Sequence, residues 1–216
     1  MMLKNKKILF IGAHMDDIEF GCGGIISKYS GCSDIYVLHM SKIRRDSAMN
    51  IQEIRNLEEM FKAASVLGIK KDNVFLGSEN ISGQLFPECR QLILETLYNF
   101  GNKLNPDIVF FPYMDVHQDH NIVYNSCRKA FKRNNLFCYE IPNSQNVFNP
   151  NMYIKISLKD LENKIESINC YQSQLEAVNT PGDYFSEDKI RATSVFRGIK
   201  CGLEYAEAFV IENLII

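Results

Sequence analysis

The 216-residue chain has no apolar run long enough to span a bilayer. The short run "ILFIG" follows Lys4, Lys6 and Lys7, but it is too brief for a signal peptide and leads straight into His14 and two aspartates. An excess of basic charge is also missing. With 24 Lys and Arg against 26 Asp and Glu, the formal net charge is −2, which gives nothing to hold a nucleic-acid backbone. Neither a membrane nor a nucleic acid is therefore expected as a partner. Paired cysteines are lacking too: Cys22, Cys32, Cys89, Cys127, Cys138, Cys170 and Cys201 stand singly, odd in number, with no C-x-x-C. That pattern excludes a cysteine-based zinc knot, reads as small buried hydrophobes, and predicts a reducing, cytoplasmic setting. Repeats, linkers and low-complexity segments are absent as well, so one domain over 1–216, with a core needing no disulfides, is expected. The composition implies no particular oligomeric state.

What is present is an alternation of strand-length apolar runs with stretches of helical period. "KILFIGA", "DIYVLHM", "NVFLGS", "DIVFFPY" and "LFCYEIP" read as strands. Residues 19–29, 53–67, 88–104 and 118–131 read as helices, with Gly68 and Pro106 as stops. After Pro142 come a polar loop, a short strand "YIKIS", a helix over 158–174 and a final strand "YAEAFVIENLII". The pattern predicts an α/β fold: a Rossmann-like open parallel sheet with helices on both faces.

The stretch "AHMDDIEFGCGG" sits where the first strand should end in a glycine-rich turn. In a nucleotide-binding turn, backbone N–H groups would face a phosphate there. Asp16 and Asp17 would instead repel an anion and attract a cation, so the sequence reads as a nucleotide fold whose anion site has become a metal site. In such sheets the first and fourth strands lie side by side where the winding reverses, and ligands bind at their carboxyl ends. The loop after the fourth strand, "DVHQDH", carries Asp115, His117, Asp119 and His120. The topology would bring the two clusters together. Three of the four histidines fall in them, while His39, inside the second strand, reads as a core histidine.

Two imidazoles and one carboxylate leave a position open for water, the ligand set of a catalytic zinc site. Because adjacent side chains at a turn point different ways, one of Asp16 and Asp17 can ligate while the other stays a base. Of His117 and His120, one would bind metal and the other would serve as proton donor or oxyanion partner, with Asp119 near enough to orient an imidazole. No role can be read for Asp115.

"AHMDD" after the first strand, "RNLEEMFKAASVLG" in the second helix, "HQDH" after the fourth strand, "YQSQ" late and "YAEAF" near the end together resemble the LmbE-like, PIG-L type N-acetylglucosaminyl deacetylases. The resemblance runs over nearly the whole chain. That family usually has A-H-P-D-D and H-P-D-H; here Met15 and Gln118 replace the prolines, which bears on loop rigidity rather than chemistry. The resemblance implies that His14, Asp17 and His120 hold one Zn2+ per chain and that Asp16 is the general base. It also implies that His117, oriented by Asp119, stabilises the tetrahedral oxyanion and helps the amine leave. Arg55, in an R-x-x-E pattern with Glu58, would reach the substrate, the alternative being a helix-surface ion pair with Glu58 or Glu59. The implied reaction removes the acetyl group of a small N-acetylglucosamine-type sugar, giving acetate and a free amine.

By position at the same sheet edge, "CYEIPNS", with Tyr139 and Glu140, is expected to line the sugar pocket. "SKIRRD" after the second strand sets Lys42, Arg44 and Arg45 beside the crevice, either to meet a phosphate or nucleotide on the substrate or as a solvated basic loop. Three rival readings remain: a two-metal phosphoesterase, an amidase acting on a sugar–thiol conjugate, and a sugar-binding protein without turnover. An intact Asp16 argues against the last.

Overall fold

The computed structural model describes residues 3–45, 51–54, 56–142, 144, 147–177 and 185–215. Apolar residues on both sides of each central strand make burial on two faces the only favourable arrangement. In β1 (Lys7–Gly12), Ile8 and Phe10 enter one core with Ile18, Ile25, Leu161 and Ile165, while Leu9 and Ile11 enter another with Phe86, Ile93, Leu97 and Val123. The first core is covered mainly by α1 (Asp17–Tyr29) and α5 (Leu158–Asn169), the second by α3 (Phe86–Leu104) and α4 (Gln118–Ala130).

The remaining strands are β2 (Asp34–His39), β3 (Ile43–Arg45), β4 (Ile51–Ile54), β5 (Val74–Leu76), β6 (Ile108–Pro112), β7 (Asn135–Tyr139), β8 (Met152–Lys155) and β9 (Ala206–Asn213). The other helices are α2 (Leu57–Val66), α6 (Gln172–Ala177) and α7 (Glu187–Lys200). Seven strands form one sheet in the order β5-β2-β1-β6-β7-β9-β8. β1 pairs in parallel with both β2 and β6, so the winding reverses between β1 and β6, the first and fourth strands read from sequence. The carboxyl ends of these two strands open the crevice that holds the site.

Several expectations need correction. The sheet is mostly rather than wholly parallel, because β9 runs antiparallel to both β7 and β8. The helix expected over 53–67 begins at Leu57: residues 51–54 are a strand paired antiparallel with β3, and the Asn56 side chain caps α2 by accepting from the Glu58 N–H. "SKIRRD" therefore contributes a strand rather than a loop. The helix expected over 158–174 breaks after Asn169, where Tyr171 turns fully inward and donates its hydroxyl to Glu19. α7 escaped the sequence reading because its buried stripe, Ile190, Ser194 and Gly198, is narrow and mostly small.

Gly21, Gly23 and Gly24 lie inside α1, within the helix expected over 19–29, and they let that helix approach its neighbours. A Cβ at Gly21 would fall 2.0 Å from the Tyr139 ring, and one at Gly23 2.9 Å from the Lys164 side chain. The turn itself needs Gly12, whose Cβ would meet the His14 carbonyl oxygen at 2.9 Å.

Candidate active site

β1 ends at Gly12 and α1 begins at Asp17, so four residues carry the chain around the turn. Asp16 takes φ 124°, a backbone region that side chains rarely adopt. The strained turn separates two neighbouring carboxylates. Asp17 Oδ2 accepts the His14 backbone N–H at 2.8 Å, and its Oδ1 lies 3.5 Å from His120 Nε2. Asp16, also buried, lines the cavity beside them.

The second cluster is built where β6 gives way to α4. His117 caps α4, its Nδ1 accepting the Asp119 N–H at 3.2 Å, which leaves the neutral ring's proton on Nε2. The three rings meet face and edge, with centroids 5.0 Å apart for His14 and His117, 5.3 Å for His14 and His120, and 4.7 Å for His117 and His120. The topology thus brings together His14, Asp16, Asp17, His117, Asp119 and His120.

The Asp119 carboxylate sits differently from expectation. It is fully buried and accepts from His14 Nε2 at 2.9 Å and from the backbone N–H groups of Gln84 and Phe86. It therefore orients His14, and it meets His117 through its backbone N–H rather than its carboxylate. With Nε2 donating to Asp119, the Nδ1 of His14 is left to face Asp17, at 3.7 Å.

Among the described residues, two groups of side chains bring ligand atoms within 4.8 Å of one another: His14, Asp17 and His120, and His14, His117 and Asp119. Both use His14, so they are alternatives and not two separate sites. In the second group Asp119 is already taken by three donors. In the first, His120 Nε2 is buried with no hydrogen-bond partner among the described residues. Leaving such a nitrogen unpaired costs about 1–3 kcal/mol, which a cation would relieve. The charges agree with a cation site. Burial alone would lower the pKa of His14 and His120, yet Asp17, with Asp119 and Asp115 respectively, holds them up at about 9 and about 10. Burial would raise Asp17, but His120 and His14 hold it well below the usual carboxylate range. Protons on the two rings stand where a metal's charge would. Burial and the neighbouring His14 and His120 lower the pKa of His117.

A cavity of about 190 Å³ opens over these groups, lined also by Phe20, Ser41, Lys42, Ile43, Gly83, Gln84, Ile141 and Ser144. Gly83 and Gln84 were not legible in sequence. Gln84 sits at φ 68°, with its N–H on Asp119 and its carbonyl accepting the Gln118 side chain, so this loop forms one wall. Larger clefts of about 600 and 430 Å³ lie elsewhere, and no histidine lines either.

Tyr139 and Glu140 do not line the cavity. Tyr139 is fully buried, donating its hydroxyl to the Ile11 carbonyl at 2.7 Å, and Glu140 binds Arg197 of α7 through both carboxylate oxygens. Ile141 and Ser144 of the same segment line it instead. Glu58 is exposed; the buried carboxylate of α2 is Glu59, which accepts from Ser173 N and Oγ at 3.0 and 2.7 Å. Lys42 lines the cavity and pairs with exposed Glu79 at 2.8 Å. Arg55 and the side chains of Arg44 and Arg45 lie outside the described residues. His39 is a core histidine, 1% exposed, with Nδ1 3.2 Å from the His14 carbonyl.

The family described as PIG-L, GlcNAc-PI de-N-acetylase, matches residues 9–131, which hold both clusters. A diacetylchitobiose deacetylase of Thermococcus kodakarensis is 26% identical, over 94% of this chain and 81% of its own length. Among solved structures, a conserved protein from Thermus thermophilus superposes with a TM-score of 0.72 at 25% identity, covering 98% of this chain and 96% of its own. N,N'-diacetylchitobiose deacetylase from Pyrococcus horikoshii, with an inhibitor bound, gives 0.70 at 23% identity over 95% and 83%, a likeness of fold. Among the described residues, no helix is long and apolar enough to cross a membrane.

Proposed function

The chain belongs to the PIG-L family of GlcNAc-PI de-N-acetylases, and from that premise we propose that it is a zinc-dependent hydrolase removing the acetyl group from an N-acetylglucosamine-type sugar. The domain is taken to span 1–216. The observation that carries the reading is the meeting of His14, Asp17 and the unpartnered His120 Nε2 with Asp16 and His117 at the reversal point of the sheet.

His14 Nδ1, an Asp17 oxygen and His120 Nε2 would hold the ion. Zinc bound there supplies polarisation of the acetamide carbonyl and brings the pKa of water down to about 7. Asp16 takes a proton from the attacking water as its oxygen bonds to the carbonyl carbon. His117 donates its Nε2–H to the oxygen that gains charge, and the proton held by Asp16 passes to the leaving nitrogen. The C–N bond then breaks, giving acetate and the free amine. The cavity, about 190 Å³, is smaller than the roughly 300–1,000 Å³ usual for ligand sites, so it suits one sugar ring or its acetamide arm with the remainder outside. Lys42 gives a phosphate or nucleotide beyond that ring a partner. The two-metal phosphoesterase has no support in a site whose candidate groups share one histidine.

The deciding experiment measures acetate release from N-acetylglucosamine, diacetylchitobiose and nucleotide-linked N-acetylglucosamine, with metal content determined on the same sample. Acetate from none of them, by metal-loaded protein, overturns the substrate class. Equal efficiency on free and nucleotide-linked sugar removes the role given to Lys42.

Proton release offers a second check. Because His14 and His120 hold protons up to about pH 9 and 10 without metal, zinc must displace them, and its apparent affinity should climb with pH between about 6 and 8. Calorimetry in buffers of different ionisation enthalpy should show about two protons released per ion at pH 7. A pH-independent affinity would place the ion elsewhere.

A further inference from the structure

Asp115 had no role in the sequence reading, yet its side chain is fully buried in the middle of the β6–α4 loop. Its Oδ1 accepts the His117 backbone N–H at 2.6 Å. Its Oδ2 accepts from His120 Nδ1 at 2.6 Å and from the Ser144 hydroxyl at 2.6 Å. The loop is clamped independently by Asn121, whose side chain bonds both the N–H and the carbonyl of Asp115. One carboxylate thus ties together three things: the ring of a ligand histidine, the backbone of His117, and the segment after β7 whose Ser144 lines the cavity.

We propose that Asp115 is a positioning residue that fixes His120 for the metal, with Ser144 holding Asp115 in turn. The proposal rests on the metal reading given above. In the neutral ring the proton sits on Nδ1, bonded to Asp115, so the Nε2 lone pair is the one offered to a metal, and among the described residues this buried nitrogen has no hydrogen-bond partner. The negative charge behind the ring raises its basicity and hence its strength as a ligand. Asp119 does the same for His14 with opposite nitrogens, through Nε2, leaving Nδ1. The two ligand imidazoles therefore each have a carboxylate behind them, and each presents a different nitrogen. By holding the His117 N–H as well, Asp115 also sets the spacing between the ligand and its neighbouring ring.

The test titrates metal-free protein with zinc against a chromophoric chelator, and with cobalt(II) followed by its visible absorption. Wild type, Asp115→Ala, Asp115→Asn and Ser144→Ala are compared, with thermal unfolding of each metal-free protein recorded alongside. Loss of a partner behind a ligand histidine costs about 10–100-fold in metal affinity, and that is the loss expected for Asp115→Ala. Asp115→Asn, which keeps an acceptor without the charge, should lose less, and Ser144→Ala, which keeps the carboxylate, less again. The cobalt spectrum of Asp115→Ala should shift while its metal-free unfolding stays near that of Asp115→Asn. Should Asp115→Ala fail to fold, the ordering of Asp115→Asn and Ser144→Ala below wild type decides. Wild-type affinity and spectrum in Asp115→Ala, or in Asp115→Asn where the alanine variant does not fold, overturn the positioning role and leave the deacetylase reading intact. Failure of wild type itself to bind either ion overturns both.

Discussion

Asp16→Asn should keep its metal and its fold while losing about 10²–10⁴-fold in kcat, the usual contribution of a positioned base. Each decade is worth about 1.36 kcal/mol, so the loss corresponds to roughly 3–5 kcal/mol of transition-state stabilisation. The basis is the division of labour between adjacent carboxylates. Asp17 is engaged by the His14 N–H and faces His120, whereas Asp16 occupies the strained position at the helix start and lines the cavity. Asparagine has nearly the same shape and tolerates positive φ, so the turn survives, but its amide cannot accept the proton. Asp17→Asn or His120→Ala should instead release zinc, because each removes a ligand. Steady-state rates and metal analysis on the same preparations separate the roles. If Asp16→Asn loses its zinc, Asp16 is a ligand; if it retains more than a tenth of wild-type kcat, the base lies elsewhere.

Much of this was legible because it depends on patterns that topology cannot hide. Two-faced burial writes continuous apolar runs into β1 and β6, and the reversal of winding between them follows from strand order alone. The polar clusters that terminate those runs then have one place to go. What failed depended on partners distant in sequence. Tyr139 and Glu140 belong to the right segment, but which of its residues face the cavity was decided by a close glycine on α1 and by Arg197 on a helix with almost no apolar stripe. Asp115 resembled any loop aspartate until Ser144 and His120 came beside it. The wall at Gly83 and Gln84 rests on a left-handed backbone at a residue that is not glycine, and no sequence rule predicts that.

The "YAEAF" and "GCGG" segments meet outside the lining of the cavity, and their meeting should govern stability. Glu207 of β9 is buried and accepts from Lys164 Nζ of α5 at 2.6 Å and from the Gly24 and Ile25 N–H groups of α1 at 2.9 and 2.7 Å. Both side chains of the pair are at most 5% exposed. Gly23 and Gly24 make room for them, since a Cβ would come within 2.9 Å of Lys164 at the first and 3.1 Å of Glu207 at the second. Removing one member of a buried pair leaves the other charge uncompensated, at a cost of about 3–5 kcal/mol, a large share of the roughly 5–15 kcal/mol that holds a typical domain together. The two halves are unequal. Glu207→Ala strands an ammonium and takes an acceptor from two helix N–H groups, while Lys164→Met leaves a carboxylate that two N–H donors still satisfy. Glu207→Ala should therefore be the more destabilising variant, and the double variant should cost less than the sum of the two, because neither charge is then left alone. Urea unfolding of all four proteins measures this cycle, and the rate per folded molecule should stay near wild type, since neither side chain lines the cavity. If Lys164→Met proves as damaging as Glu207→Ala, the helix N–H groups are not what Glu207 chiefly holds, and the glycine pair in α1 needs another explanation.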